Sequence, residues 1–293
     1  MIPDLKDLIP PNLDYAYFEG AQQHPFRPTA QGFDLVNASW LADAALLAYA
    51  ELDVAEPHFQ NAGLGNVRFI HGVESHTQGY VAANDAFVVV TFRGTEVINW
   101  KDVRTDVQVI PVEWDDGGKV HKGAKDALDE VWHKDGLGQH LDALKREKPA
   151  RTFWFTGHSL GAAVATLAVR RFGSGGTLYT FGSPRPGNKA FAQSMRAGTY
   201  RFVNHNDVVP RLPPPGVVLK YRHVGTLKYI THDGRLRDRC TLRGQMRWFW
   251  REYVRRWFDE SDGTVVAHAA LRLAKELGDH APVNYARAIR NLL

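Results

Sequence analysis

The chain has 293 residues, 44% of them hydrophobic, and a formal net charge of +4, which is sufficient for one globular domain with its own core. Basic residues are scattered among acidic ones, which argues against a nucleic-acid-binding protein, and no apolar run is long enough for a transmembrane helix. Cys240 is the sole cysteine, so no intramolecular disulfide can form. That fits a reducing compartment, or a secreted protein without disulfides.

The N-terminal part of the chain is rich in proline and lacks hydrophobic periodicity. It predicts an extended arm over residues 1–33 that lies on a domain formed by residues 34–293. The first 20 residues carry charges and lack the apolar stretch of a signal peptide. We therefore expect a cytoplasmic protein, or a bacterial protein secreted by a non-classical route.

Helix-like and strand-like patterns then alternate along the chain. A helix is predicted over residues 35–52 and a long helix over residues 122–145. The remaining predicted elements are strands at 67–73, 80–83, 86–92, 152–156, 177–181 and 200–203, and a helix at 162–169. This alternation indicates a single α/β domain with a mostly parallel central sheet flanked by helices.

The sequence Gly157-His158-Ser159-Leu160-Gly161 joins a predicted strand to a predicted helix. In that context Gly-x-Ser-x-Gly is the nucleophile elbow of an α/β-hydrolase fold, in which a serine occupies a strained turn. The two glycines leave room for the strand and the helix to approach each other. We therefore predict that Ser159 is a nucleophile.

A serine nucleophile needs a histidine that takes its proton and a carboxylate that orients the histidine. In α/β-hydrolases the acid and then the histidine follow the serine along the chain. Asp207 follows the predicted strand at 200–203 and is the candidate acid. The histidines beyond it are His223, His232, His268 and His280. His280 lies in a predicted loop, and His223, at the end of a strand-like run, is its main rival.

Further motifs surround the elbow in a fixed order. They are FRGT at 92–95, NW at 99–100, VIPV at 109–112, VHKG at 120–123, TFGSPRPGN at 180–188, DVVPRLPP at 207–214, and DH at 279–280 with Tyr285. From about residue 41 to residue 285 the chain resembles the class 3 lipases, the family of the fungal triacylglycerol lipases.

The resemblance implies a role for each matching residue. Ser159 would be the nucleophile, Asp207 the orienting acid and His280 the general base, with His223 in a structural strand. The backbone N–H groups of Thr95 and Leu160 would form the oxyanion hole. The implied reaction is hydrolysis of lipid carboxylic esters through an acyl-enzyme intermediate, at an oil–water or membrane interface, with no metal or organic cofactor.

Related functions stay open at this stage. The same residues would serve a phospholipase A1 or a feruloyl-type esterase, because related folds host these activities. A non-catalytic lipase-like scaffold is the alternative that is not an enzyme, and the presence of all three candidate triad residues argues against it.

The resemblance also predicts a lid over residues 96–114, because Val97, Ile98 and Trp100 could cover an acyl pocket there. Mobile lids exclude water and complete an active site when they open. The alternative is a fixed connecting loop.

The chain departs from the fungal pattern in two respects. It cannot form the disulfides of those lipases, which indicates a bacterial-like member, and Asp207 and His280 are 73 residues apart, a long separation for the family. The extra length forms an amphipathic insertion at 235–262. Within it, residues 246–258 predict a helix with tryptophans on one side and arginines beside them. This helix either packs on its own domain or contacts a membrane or droplet surface.

Overall fold

The computed structural model describes residues 9–94, 110–173, 175–213, 221–240 and 278–293. The predicted lid at 96–114 lies outside them except for residues 110–114, and the insertion at 235–262 except for residues 235–240. The helical segment at 246–258, Thr95 and His268 also lie outside. Within the described ranges, no helix combines the length and the apolarity that a membrane span needs.

An eight-stranded sheet forms the centre of the protein. The described strands are β1 (Asn66–His71), β2 (Gln78–Ala83), β3 (Phe87–Phe92), β4 (Pro111–Glu113), β5 (Lys119–His121), β6 (Thr152–His158), β7 (Gly176–Phe181), β8 (Gly198–Asn204), β9 (Thr226–Ile230) and β10 (Leu236–Arg237). Eight of them form the central sheet in the order β1-β2-β3-β6-β7-β8-β9-β10, and β4 and β5 pair with each other in a separate two-stranded sheet. Strands β3, β6, β7, β8 and β9 run parallel, whereas β1, β2 and β10 join antiparallel at the edges. The predicted mostly parallel sheet is confirmed.

Helices cover both faces of this sheet. They are α1 (Leu35–Leu47), α2 (Leu52–Asn61), α3 (Lys122–Asp129), α4 (Leu137–Glu147), α5 (Leu160–Phe172), α6 (Lys189–Ser194) and α7 (Pro282–Arg290). Successive strand residues point to opposite faces, so Trp154 belongs to the core under α1 and α7, and Phe155 to the core under α3, α4 and α5. Burial on both faces explains the continuous apolar run of β3.

The predicted helix at 35–52 is confirmed over residues 35–47 and wrong after them, because α1 ends at Leu47 and a separate helix, α2, begins at Leu52. Side chains bind the intervening turn. The Tyr80 hydroxyl donates to the Ala50 carbonyl oxygen at 2.6 Å, and the Tyr49 hydroxyl bonds to His158. The turn therefore makes tertiary hydrogen bonds in place of a continued helix.

The predicted helix at 122–145 is interrupted. A π-helical turn, Glu130–Lys134, follows α3, and α4 starts only after Gly136. Gly136 has φ 75°, a left-handed conformation that glycine adopts readily and that ends the preceding helical run.

Residues 9–33 contain turns and no helix or strand. They lie against α1 and bury aromatic side chains there, among them Tyr15, Phe18 and Phe26. The Tyr15 hydroxyl and the Phe18 N–H both donate to the carboxylate of Asp43, at 2.8 and 2.7 Å. The boundary between residues 33 and 34 stays a prediction.

Candidate active site

Ser159 lies between the last residue of β6 and the first residue of α5, with φ 56° and ψ −128°. Residues other than glycine rarely adopt a positive φ, because their Cβ atom clashes with the backbone. Such backbone strain concentrates at functional sites. A Cβ on Gly157 would lie 2.6 Å from the Gly161 carbonyl, and one on Gly161 would collide with the Phe92 carbonyl oxygen. The two glycines are therefore required by close backbone packing.

Asp207 lies in the loop after β8 and is fully buried. Its carboxylate accepts hydrogen bonds from the Val209 N–H at 2.9 Å, the Tyr285 hydroxyl at 2.6 Å and the His280 Nδ1 at 2.9 Å. A buried carboxylate is costly unless it is paired and hydrogen-bonded. Here each hydrogen bond also fixes its orientation toward His280.

His280 is also buried, just before α7. Because a carboxylate oxygen accepts, the Nδ1 of His280 donates to Asp207, and its Nε2 is left with the lone pair that can accept a proton. This is the tautomer that a general base needs.

The three predicted residues lie near one another at the carboxyl ends of β6, β7 and β8. The Ser159 N–H donates to the carbonyl oxygen of Phe181, the last residue of β7, at 3.0 Å. A Cβ on the next residue, Gly182, would lie 2.9 Å from Oδ2 of Asp207 and 3.0 Å from Nδ1 of His280. Ligand sites of open α/β sheets lie at these strand ends.

The rival histidine His223 does not contact Asp207 in any described interaction. It lies near Arg201 and Arg185, and burial, followed by the charges of these two arginines, holds its pKa well below the usual range. The His232 side chain is 78% exposed, beside Asp233. Within the described part of the chain, His280 is therefore the histidine that pairs with the predicted acid.

The two predicted oxyanion donors are the backbone N–H groups of Leu160 and Thr95. Leu160 is the first residue of α5, where backbone N–H groups have no intrahelical partner. Thr95 lies outside the described residues, but Gly94 before it runs close to the serine, since a Cβ on Gly94 would lie 3.0 Å from the Ser159 Cβ.

A cleft of about 1200 Å³ opens at the serine. Its lining includes Ser159 and Leu160 together with the apolar residues Val164, Val209 and Leu212. An apolar wall beside the serine suits the hydrocarbon part of an ester.

Sequence reasoning missed several polar residues around this centre. Tyr49 bonds to His158 at 2.8 Å, and the His158 Nε2 bonds to the His280 carbonyl oxygen at 2.6 Å. The Asp279 carboxylate lies 3.1 Å from the His205 Nδ1, which joins the acid loop to the histidine loop. His158 directly precedes Ser159 in the sequence, and Asp279 directly precedes His280. This proximity in sequence was the signal that could have identified both residues. Nothing in the sequence marked Tyr49.

The chain is similar to known lipases. The family described as lipase (class 3) matches residues 89–217. A secreted mono- and diacylglycerol lipase 1 of Fusarium solani is 35% identical over 211 residues, which cover 65% of this chain and 62% of the relative. A lipase of Rhizomucor miehei is 36% identical over 173 residues, covering 54% of this chain and 46% of the relative.

The chain is also similar to solved structures of lipases. One, in which a serine protease triad forms the catalytic centre of a triacylglycerol lipase, has a TM-score of 0.59 at 27% identity and covers 71% of this chain and 84% of that chain. The triacylglyceride lipase of Rhizomucor miehei has a TM-score of 0.56 at 27% identity, covering 69% and 81%.

The chain spans 46% to 62% of the length of the first curated relatives that it matches. Relatives from Fusarium solani, Penicillium cyclopium and Malassezia globosa are named as secreted enzymes. The expectation of a cytoplasmic or non-classically secreted protein is therefore wrong.

Proposed function

We propose that this chain, which belongs to the class 3 lipase family, hydrolyses the carboxylic esters of lipids through an acyl-enzyme intermediate. One observation carries the proposal. A buried Asp207–His280 hydrogen bond of 2.9 Å lies at the strand ends where the strained Ser159 directly precedes α5. This arrangement supports Ser159 as nucleophile, His280 as general base and Asp207 as the orienting acid.

The chemical steps follow from these roles. The Ser159 hydroxyl oxygen attacks the acyl carbonyl carbon while the His280 Nε2 takes the hydroxyl proton. Asp207 stabilises the imidazolium that forms. His280 then gives the proton to the departing alcohol, which leaves an acyl ester on Ser159. A water molecule that loses its proton to His280 then attacks this ester. His280 returns the proton to the departing Ser159 oxygen, which frees the fatty acid and restores the serine hydroxyl.

The tetrahedral intermediates carry a negatively charged oxygen that backbone N–H groups stabilise. Removing one such donor raises the activation free energy by about 3 to 4 kcal/mol. The N–H of Leu160 is proposed as one donor, and its place at the start of α5, where N–H groups have no intrahelical partner, supports this. The N–H of Thr95 is proposed as the second, and the approach of Gly94 to the serine supports it.

The proposed substrate is a lipid ester at an interface. The apolar wall of the cleft and the names of the relatives, mono- and diacylglycerol or triacylglycerol lipases, support this class. The lid at 96–114 and a peripheral membrane contact through residues 246–258 belong to the same proposal and are supported by sequence pattern alone.

The test is the hydrolysis rate as a function of acyl-chain length, with soluble short esters and emulsified long-chain glycerides measured side by side. We expect long-chain turnover that Ser159→Ala abolishes. Ser194→Ala removes a serine hydroxyl that donates to the Phe191 carbonyl oxygen and accepts from the Arg170 Nε. Neither partner is a proposed catalytic residue, so this variant should retain the wild-type rate. Turnover confined to phospholipids or to feruloyl esters would replace the glyceride assignment, and no turnover of any ester would overturn the proposal.

A further inference from the structure

A chain of two buried hydrogen bonds runs beside the proposed triad. The Tyr49 hydroxyl lies 2.8 Å from Nδ1 of His158, and Nε2 of His158 lies 2.6 Å from the main-chain oxygen of His280. His158 is fully buried, and Tyr49 is 4% exposed. The chemical steps proposed above use neither side chain.

The direction of both hydrogen bonds follows from what their atoms can do. The carbonyl oxygen of His280 can only accept, so Nε2 of His158 carries a hydrogen. Burial, followed by the neighbouring His280, holds the pKa of His158 well below its usual range, so the ring is neutral. Its Nδ1 is then an acceptor, and the Tyr49 hydroxyl donates to it. The tautomer of His158 is thereby fixed from both sides.

The chain of hydrogen bonds connects three parts of the site. His158 is the last residue of β6 and precedes the nucleophile, while His280 is the proposed base. A Cβ on Gly94 would lie 2.5 Å from both the His158 carbonyl oxygen and the Tyr49 hydroxyl oxygen. Tyr49 therefore lies against the backbone that leads to Thr95.

We propose that Tyr49 and His158 are positioning residues that hold the main chain of His280 so that its Nε2 faces Ser159. This inference rests on the proposed function. The Asp207–His280 bond holds the Nδ1 side of the imidazole ring. The bond at the His280 carbonyl oxygen supplies a second fixed point, and two points restrict the rotation that one would permit.

The charge state of His158 suits this role. Its ring centroid lies 4.4 Å from that of His280, and a cation there would oppose the imidazolium that His280 becomes during attack. Among the described residues, the titratable and charged groups near His158 and His280 include Asp207, which accepts from the His280 Nδ1 at 2.9 Å. They also include Tyr285, whose ring lies 5.8 Å from that of His158, and Arg93, over the Tyr49 ring at 5.9 Å. A neutral donor can position His280 without adding charge.

The test compares Tyr49→Phe with a matched control, Tyr179→Phe, which also removes one buried hydroxyl. The Tyr179 hydroxyl accepts the Asp34 N–H at 3.0 Å and contacts none of the proposed catalytic residues. Two further variants vary the donor itself. His158→Gln keeps an N–H near the Nε2 position, and His158→Leu removes it. Measurements are kcat and KM on a soluble ester, the rate of fluorophosphonate labelling, and Tm.

We expect Tyr49→Phe to lower kcat and the labelling rate about 10-fold while KM stays within about twofold. Tyr179→Phe should lower Tm without lowering kcat, and His158→Gln should retain more kcat than His158→Leu at equal Tm. Wild-type kcat in Tyr49→Phe, or an equal loss in Tyr179→Phe, would overturn the inference while leaving the proposed function intact. A wild-type protein that neither labels nor turns over would overturn both.

Discussion

Tyr285 contributes two hydrogen bonds at one oxygen atom. Its hydroxyl donates to Asp207 at 2.6 Å and accepts the N–H of Asn204 at 2.9 Å. Burial, followed by the charge of Asp207, raises the pKa of Tyr285 well above its usual value. The phenol therefore stays protonated and remains a donor to the carboxylate that orients His280.

Tyr285→Phe should remove both hydrogen bonds and leave a buried N–H and a buried carboxylate oxygen without this partner. We expect the free energy of unfolding to fall by about 1 to 3 kcal/mol, with a lower kcat. Tyr221→Phe is the control, because the buried hydroxyl of Tyr221 has no hydrogen-bond partner among the residues that the structure describes. Denaturant unfolding measures both variants, and equal losses of stability would contradict the role given to Tyr285.

At the scale of elements, the π-helical turn Glu130–Lys134 anchors the loop between β1 and β2. The Glu130 carboxylate accepts the N–H groups of Glu74 and Ser75, both at 2.8 Å. That loop lines the cleft through Ser75, His76 and Thr77. Hydrogen bonds, first from the Ser75 side chain and then from the Glu74 backbone, lower the pKa of Glu130 to about 2.

This lowered pKa predicts a pH dependence of stability. A carboxyl group whose pKa is depressed in the folded state stabilises the fold at pH values above its pKa in the unfolded chain, here 4.5. This contribution is lost as the pH falls toward 2. Glu130→Gln should therefore be less stable than the wild type at pH 6, and the difference should shrink between pH 4.5 and pH 2. Urea unfolding across this range measures it, and a constant difference would show that the Glu130 charge is not involved.

The elements that carry the elbow were predictable, because glycines and small residues leave few alternatives to a strand, a tight turn and a helix between 152 and 172. The break within residues 122–145 was not predicted. It depends on Gly136, and Glu130 pairs with a loop more than fifty residues away in the chain. Likewise, the order of the motifs predicted Asp207 as the acid. The structure was needed to show that Asp207 bonds to His280 and that His223 lies near Arg185 and Arg201.

At the scale of the whole molecule, a cluster around the buried Asp43 ties both ends of the described chain to the core. Arg290 of α7 donates to Asp43 of α1 at 2.6 Å and to Glu19 at 3.1 Å. Its guanidinium also lies 4.5 Å from the centre of the Tyr15 ring. This cluster holds residues 15–19 and α7 against α1, and α7 begins at Pro282, close behind His280.

Arg290→Met should leave the buried carboxylate of Asp43 without its cation. We expect a loss of about 3 kcal/mol in the free energy of unfolding, at the lower end of the range for broken buried pairs because Arg290 is partly exposed. Arg287→Met, on the exposed side of the same helix, is the matched control and should change stability by less than about 0.5 kcal/mol. Equal effects of the two variants would contradict the role given to this cluster.

Fluorophosphonate labelling followed by peptide mass spectrometry tests whether Ser159 is a nucleophile activated by His280. We expect one covalent adduct, on Ser159, which forms in the wild type and is lost in Ser159→Ala. It should form at least 100-fold more slowly in His280→Ala, since general bases contribute roughly 10²- to 10⁴-fold. No adduct, an adduct on another residue, or labelling of His280→Ala at the wild-type rate would contradict the account.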